Sequence, residues 1–362
     1  MKMIAQALKL LISDPSRLVR KMKVEFAAPS MSTTAFLRRI YCRIVPPKPK
    51  ASGGNAERLL FVYDTLRSPV TYDFLHYLSY ANYLVRKLNR NHVDVILVTR
   101  DNALDSREKN YIAAVGDDNI AWRITNLAVP LCRLFPAVDR ICIGSEAMAF
   151  ELVKNYDVVQ PHGYSYESPK NGVTRLDTPG WHFVDALLVP TSALQIIESY
   201  FPKNDPRHIV TITLRNYDYL PVRNSNIDSW VAFAARLDRA KFRVVFIPDA
   251  SARGVSTMQS LRGCEVFDSA CWNLELRAAL YSRAWMNMGV ACGPLAISGL
   301  MAGVVTVMID RSLDYPKDYL DGLLKNGLVP GQAPAFYSTD CHFHLGIDDE
   351  RTLLEAFRQY AR

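Results

Sequence analysis

The chain has 362 residues, 49% hydrophobic and 22% charged, and 43 Lys+Arg against 36 Asp+Glu give a formal charge of +7. These values exclude a disordered chain, a collagen, a coiled coil and a small disulfide scaffold, and the length suits about two domains. The charge is concentrated at one end: residues 1–50 hold eleven Lys/Arg and only Asp14 and Glu25, so that arm carries +9 and residues 51–362 the remaining −2. The basic balance therefore belongs to the arm, and a nucleic-acid-binding body is not needed to explain it.

Residues 3–24 predict two short amphipathic helices broken at Asp14-Pro15, with cations between the apolar positions. Such an arm suits an anionic membrane surface, each cation contributing about 1 kcal/mol. Packing on the body is the alternative. The Pro/Gly stretch Val45–Gly54 is a linker, so arm and linker span 1–56 and the body starts near Glu57. No apolar run reaches the roughly 18–20 residues that span a bilayer, and Lys9 and Asp14 interrupt any signal-peptide core. Seven widely spaced cysteines without a C-x-x-C predict reduced thiols in a cytoplasmic protein.

Along the body, Leu59–Tyr63 reads as a buried parallel strand, and 71–88 as a helix started by Thr71 or Asp73. Strands are expected at 93–98, 140–144 and 187–189, and helices near 105–115, 119–135, 146–154 and 192–200. Residues 155–185 read as long loops. After the joint Phe201–Arg207, strands are expected at 209–214, 244–247, 266–267, 285–289 and 304–309. Helices are expected at 227–239, 273–283, 294–302, 315–325 and 349–360. Two β/α series predict an α/β protein with two doubly wound, Rossmann-like parallel-sheet domains facing a cleft. The boundaries are 57–205, 206–348 and a closing helix at 349–362. Ligands of such sheets sit at the carboxyl ends of the strands.

The sharpest segment is Ala291–Val307, read as strand, Gly293-Pro294, helix, Gly303, strand. Gly293 permits a tight turn close to a ligand, Pro294 suits a first helical position, and the helix start offers amides and a positive dipole to a phosphate. A plain strand–turn–helix corner is the alternative. The segment resembles the donor-binding corner of GT-B glycosyltransferases, in particular the bacterial heptosyltransferase-like group. Gly293, Pro294, Gly303 and the strand 304–309 match, as does the preceding helix Leu274–Ala284. Val290-Ala291-Cys292 replaces the family's Asn-Asp-Ser stretch, and Ala296 stands where the family often has His.

The resemblance implies a sugar transferred from a nucleotide-sugar donor, held by the C-terminal domain, to a saccharide or lipid-linked saccharide acceptor on the N-terminal domain. The setting it implies is bacterial surface polysaccharide or lipopolysaccharide synthesis at the inner face of the membrane, with no cofactor or metal. Asp73 matches the family's helix-start base, with Tyr72 in place of its glycine, and capping the helix is the bland alternative. Asp64 is the rival carboxylate, and His162 and Glu167 are further acid/base candidates in a Tyr-rich loop. Arg215 and Arg223 fall in the loop where the family places a basic residue near the phosphates, flanked by Thr213 and Asn224. Cys292, Gly293, Pro294 and Leu295 form the expected phosphate turn, and Asp249 and Asp310, at strand ends, the expected base or ribose contacts. His342 and His344 share a strand face without a third metal ligand. The rivals are a nucleotide-sugar epimerase or hydrolase of the same fold, and a non-catalytic partner subunit. The whole reading requires a Gly293–Pro294 turn that side chains do not plug.

Overall fold

The structure, a computed structural model, describes residues 57–65, 68, 70–99, 117–161, 180–218, 220–249 and 259–361. The basic arm, the helix expected near 105–115, and the loop with His162 and Glu167 lie outside the described residues. The strands are β1 (Arg58–Asp64), β2 (His92–Val98), β3 (Val138–Gly144), β4 (Val158–Gln160), β5 (His208–Thr213), β6 (Phe242–Ile247), β7 (Glu265–Val266), β8 (Met286–Val290), β9 (Thr306–Asp310) and β10 (Cys341–Leu345). The helices are α1 (Asp73–Lys87), α2 (Asp117–Arg123), α3 (Val129–Arg133), α4 (Glu146–Val153), α5 (Thr191–Tyr200), α6 (Ile227–Arg236), α7 (Ser269–Trp272), α8 (Leu274–Arg283), α9 (Ala296–Gly299), α10 (Lys317–Lys325) and α11 (Glu350–Tyr360). A π-helical turn, Ile124–Ala128, joins α2 to α3.

Two compact units interleave in sequence. Among the described residues, those within Met1–Pro69, Leu88–Asn110 and Asp139–Gly172 form one, and those within Val70–Lys87, Tyr111–Val138 and Val173–Arg362 form the other. The first unit holds a sheet in the order β3-β2-β1-β4, with β1 parallel to both β2 and β4. Leu59–Tyr63 are at most 2% exposed, because a central parallel strand is covered on both faces and so reads as an unbroken apolar run. Asp94 interrupts the apolar run of β2, yet it is only 3% exposed. It accepts from Arg58 Nε at 2.6 Å and from the Tyr156 hydroxyl at 2.7 Å, which satisfies the buried charge.

The second unit holds a six-stranded sheet in the order β10-β9-β8-β5-β6-β7, parallel throughout. Its core joins Val210, Ile212, Trp230, Phe233, Met286, Met288 and Phe357. Helix starts follow their sequence signals: Asn226, Asn273 and Asp349 each accept a backbone N–H at the ends of α6, α8 and α11. Helix α1 belongs to this unit and buries Phe74, Leu75, Leu78 and Ala81. Tyr80 meets Trp181 edge-on, and Trp181 stacks on Phe336 at 4.2 Å.

Three expectations are corrected. No strand forms at 187–189: Leu188 is exposed, and its N–H goes to the Leu134 carbonyl instead of to a sheet neighbour. The helix expected at 294–302 is only the four-residue α9, because Ala296 and Ile297 make i→i−3 bonds to Gly293 and Pro294 and the chain stays tightly turned. The stretch 155–185 contains β4, a strand too short for periodicity to reveal.

Candidate functional site

The carboxyl ends of β5, β6 and β8 lie side by side in the six-stranded sheet and carry Thr213, Asp249 and the Ala291–Gly293 turn. Thr213 pairs with Gly289, where an added Cβ would stand 2.5 Å from the Thr213 carbonyl oxygen. Only glycine allows that approach. Thr213 is fully buried and its hydroxyl shares a 2.7 Å hydrogen bond with Tyr281, which accepts from Arg277 Nη1 at 3.0 Å.

The loop after β5 folds back on itself through Asn224. The Asn224 Oδ1 accepts from the Arg215 guanidinium and from Tyr217 N at 3.0 Å, and its Nδ2 donates to Tyr217 O at 3.0 Å. Asn224 thus shapes the loop from within. Arg215 is 8% exposed, and burial, with Arg223 beside it, pushes its pKa below the ordinary value. Arg223 donates to the Tyr319 hydroxyl at 2.8 Å and to Ala291 O at 3.1 Å, and lies 5.7 Å from the Tyr315 ring. Burial works against its charge, but Tyr319, Tyr315 and Asp73 outweigh it and hold the pKa up. Its Nε is buried without a hydrogen-bond partner among the described residues.

Asp249 accepts from Asn216 N at 3.1 Å, and it shares the surroundings of Cys292 with Arg277 and Arg215. Burial raises the Cys292 thiol pKa, against an N–H from Leu295. On the next residue, Gly293, an added Cβ would stand 2.4 Å from Tyr72 Cβ. One side chain, half-buried Tyr72, therefore lies on the turn that was expected to be open. The tyrosine is followed by exposed Asp73, the first residue of α1, whose N–H meets Thr71 Oγ1 at 3.3 Å. One turn on, His76 Nε2 bonds the Tyr337 hydroxyl at 2.8 Å, and burial lowers the imidazole pKa against the pull of Asp73.

The structure thus gathers Arg215, Arg223, Asp249, Cys292, Gly293 and Asp73 into one neighbourhood. Other candidates serve the fold: Leu295 is fully buried in van der Waals reach of Gly289, and Asp310 gives its two oxygens to Ser312 N (2.9 Å) and Gly331 N (2.7 Å). Pro294 accepts from Ile297 N inside the turn. Asp64 ends β1 in the other unit, with 7% exposed. His342 stacks on Tyr360 at 4.3 Å and His344 meets the same ring edge-on. Sequence reasoning noted Tyr72 only in place of the family's glycine and passed over His76, Tyr281, Arg277 and Tyr337. The Arg at an otherwise apolar position of α8 was the one signal available for any of them.

No protein-family model matches the chain, and no curated protein does. Among solved structures, a glycosyl transferase of family 9 from Veillonella parvula DSM 2008 is similar with a TM-score of 0.52, at 10% identity, over 84% of this chain and 97% of that one. The fold is GT-B. The E. coli ADP-heptose lps heptosyltransferase II is similar over 84% of this chain and 98% of its own, with a TM-score of 0.49 at 12% identity. A GT-B sheet of this kind offers its strand ends to a ligand, and here the residues that follow those ends include Arg215, Arg223, Asp249 and the turn at Gly293, while Asp73 starts helix α1. Guanidinium forks suit phosphate oxygens, and a nearby carboxylate suits proton transfer.

Proposed function

We propose that this chain is a glycosyltransferase that moves a sugar from a nucleotide-sugar donor to a saccharide or lipid-linked saccharide acceptor. The setting proposed is bacterial surface polysaccharide or lipopolysaccharide synthesis in the cytoplasm, with the arm 1–50 resting on the inner face of the membrane. One observation carries the reading: Arg215, Arg223 and Asp73 meet around the Cys292–Gly293 turn at the strand ends of a GT-B sheet. The Veillonella parvula neighbour is by its name a glycosyl transferase of family 9, which supports sugar transfer.

In this reading the donor phosphates lie against Arg215 and Arg223. Asp73 takes the proton of the acceptor hydroxyl as its oxygen attacks the anomeric carbon. The bond from that carbon to the phosphate oxygen breaks, and the nucleotide leaves with its charge held by the guanidinium groups. Tyr72 Cβ lies against Gly293, so the backbone that carries Tyr72 must shift for the phosphates to reach the turn, a rearrangement that a minority of complexes show on binding. A thermal-shift panel of UDP-, GDP-, ADP-, dTDP- and CMP-sugars tests the reading. Stabilisation by one donor, lost in Arg223→Ala, is the expected result. No stabilisation by any of them assigns the chain to the non-catalytic alternative, and donor turnover without acceptor assigns it to an epimerase or hydrolase.

A further inference from the structure

Arg123 ends helix α2 where the chain changes its winding. The next five residues, Ile124–Ala128, form the π-helical turn, and the Val129 N–H reaches back to the Ile124 carbonyl. Pro130 is the reason: it has no N–H to offer the Asn126 carbonyl four residues earlier, so an ordinary helical turn cannot close there. Turns of this kind occur mostly at functional sites. Here the turn follows a half-buried arginine that joins two loops. Arg123 Nη1 donates to Val70 O at 3.3 Å and Nη2 to the Tyr217 hydroxyl at 3.2 Å, with the guanidinium 5.6 Å from the Tyr217 ring.

The two acceptors belong to segments that meet at the Gly293 turn. Tyr217 lies two residues after Arg215, and its backbone N and O are both fixed by Asn224 at 3.0 Å. Val70 lies two residues before Tyr72, whose Cβ and ring lie against Gly293. On the far side of Tyr72, Thr71 O accepts from Phe74 N at 3.1 Å and Tyr72 O from Leu75 N at 2.9 Å. Tyr72 is therefore part of the first turn of α1, and no change of its rotamer takes its Cβ off Gly293. The segment 70–73 is held at two ends. The α1 end is set in the core by fully buried Phe74 and Leu75. The Val70 end is held by a half-buried side chain through neutral acceptors, and it is the end that can open without separating charges.

We infer that Arg123 is a positioning residue: it clasps the segment 70–73 to the loop after β5, keeps Tyr72 on Gly293, and must let go of Val70 before phosphates reach that turn. This deepens the donor reading given above and rests on it. The unliganded protein is held in a state that binds a diphosphate weakly, because affinity is reduced by the share of molecules in which the clasp is open. Breaking one or two neutral hydrogen bonds sets that share at about one in ten.

The experiment is calorimetric titration of the full chain with inorganic pyrophosphate, on wild type, Arg123→Met, Tyr217→Phe, Tyr72→Gly and the double variant Arg123→Met with Tyr72→Gly. Arg123→Met and Tyr72→Gly should each raise affinity about 10-fold. Tyr217→Phe removes only the hydroxyl that steadies Arg123; it should raise affinity about 3-fold, and it decides the matter should Arg123→Met fail to fold. In the double variant Arg123→Met should add nothing, because with glycine at 72 there is no side chain left to hold over the turn. Loss of a mere strut does not tighten a ligand, so the gain reports positioning. Affinity lowered by Arg123→Met on both backgrounds would make Arg123 a direct phosphate contact, and affinity unchanged in Arg123→Met, Tyr217→Phe or Tyr72→Gly would leave no clasp; each result overturns the inference while the donor reading stands. If no variant binds pyrophosphate, Tyr72→Gly included, the donor reading falls and the inference with it.

Discussion

The Gly293 turn gives the sharpest test of the site geometry. In Gly293→Ala the new Cβ would meet Tyr72 at Cβ, Cγ and Cδ2, 2.4, 2.9 and 3.0 Å away. Real Cβ atoms do not approach so closely, and the obstacle is the root of the tyrosine side chain, which moves only with its backbone. Overpacking of this kind costs about 1–3 kcal/mol. For a unit of some 200 residues that is a fall in melting temperature of about 2–4 °C per kcal/mol. Tyr72→Gly, which restores the residue the resembling family carries there, removes the obstacle. In the double variant the alanine should therefore cost almost nothing, a coupling of about 1–3 kcal/mol between two residues 221 positions apart in the numbering. Melting curves of the four proteins measure it. If Gly293→Ala melts with wild type, or costs as much with glycine at 72 as with tyrosine, Tyr72 does not rest on the turn.

Arg223→Lys should lower kcat by about 10²–10³ with far less effect on acceptor KM, because a point charge replaces a fork aimed at the leaving phosphate; equal kcat would remove Arg223 from that role. Stability should fall as the pH drops below 6.5, because burial lowers the His76 pKa in the folded protein and the unfolded chain then binds the extra proton. His76→Gln keeps a partner for the Tyr337 hydroxyl and should flatten that acid limb in a pH series of melts; an unchanged slope assigns the effect elsewhere. Asp94→Ala should destabilise the four-stranded unit by about 3 kcal/mol, since Tyr156 loses its buried acceptor and Arg58 keeps only exposed Asp139; urea unfolding followed by far-ultraviolet circular dichroism checks it, and a loss under about 1 kcal/mol refutes it.

Most strands and helices and the turn at Gly293 were legible in the sequence, whereas β4 was hidden, the strand expected at 187–189 does not form and the corner helix is shorter than its pattern. Unbroken apolar runs such as Leu59–Tyr63 and Val244–Ile247 declare parallel strands because both faces of a central strand are covered, and Asn226, Asn273 and Asp349 declare helix starts because their side chains accept the first free amides. Arg215 and Arg223 were phosphate candidates through the resemblance, because the family places a basic residue in the loop after this strand. Partners distant in sequence were decided only by tertiary structure. Nothing local to Asp310 shows that Ser312 and Gly331 amides occupy it, nothing local to Asp94 shows Arg58 and Tyr156, and nothing local to Tyr72 shows that it rests on Gly293. Periodicity reports which face of an element is covered, but not by what. A polar side chain's role depends on which atoms the rest of the chain brings within 3 Å of it.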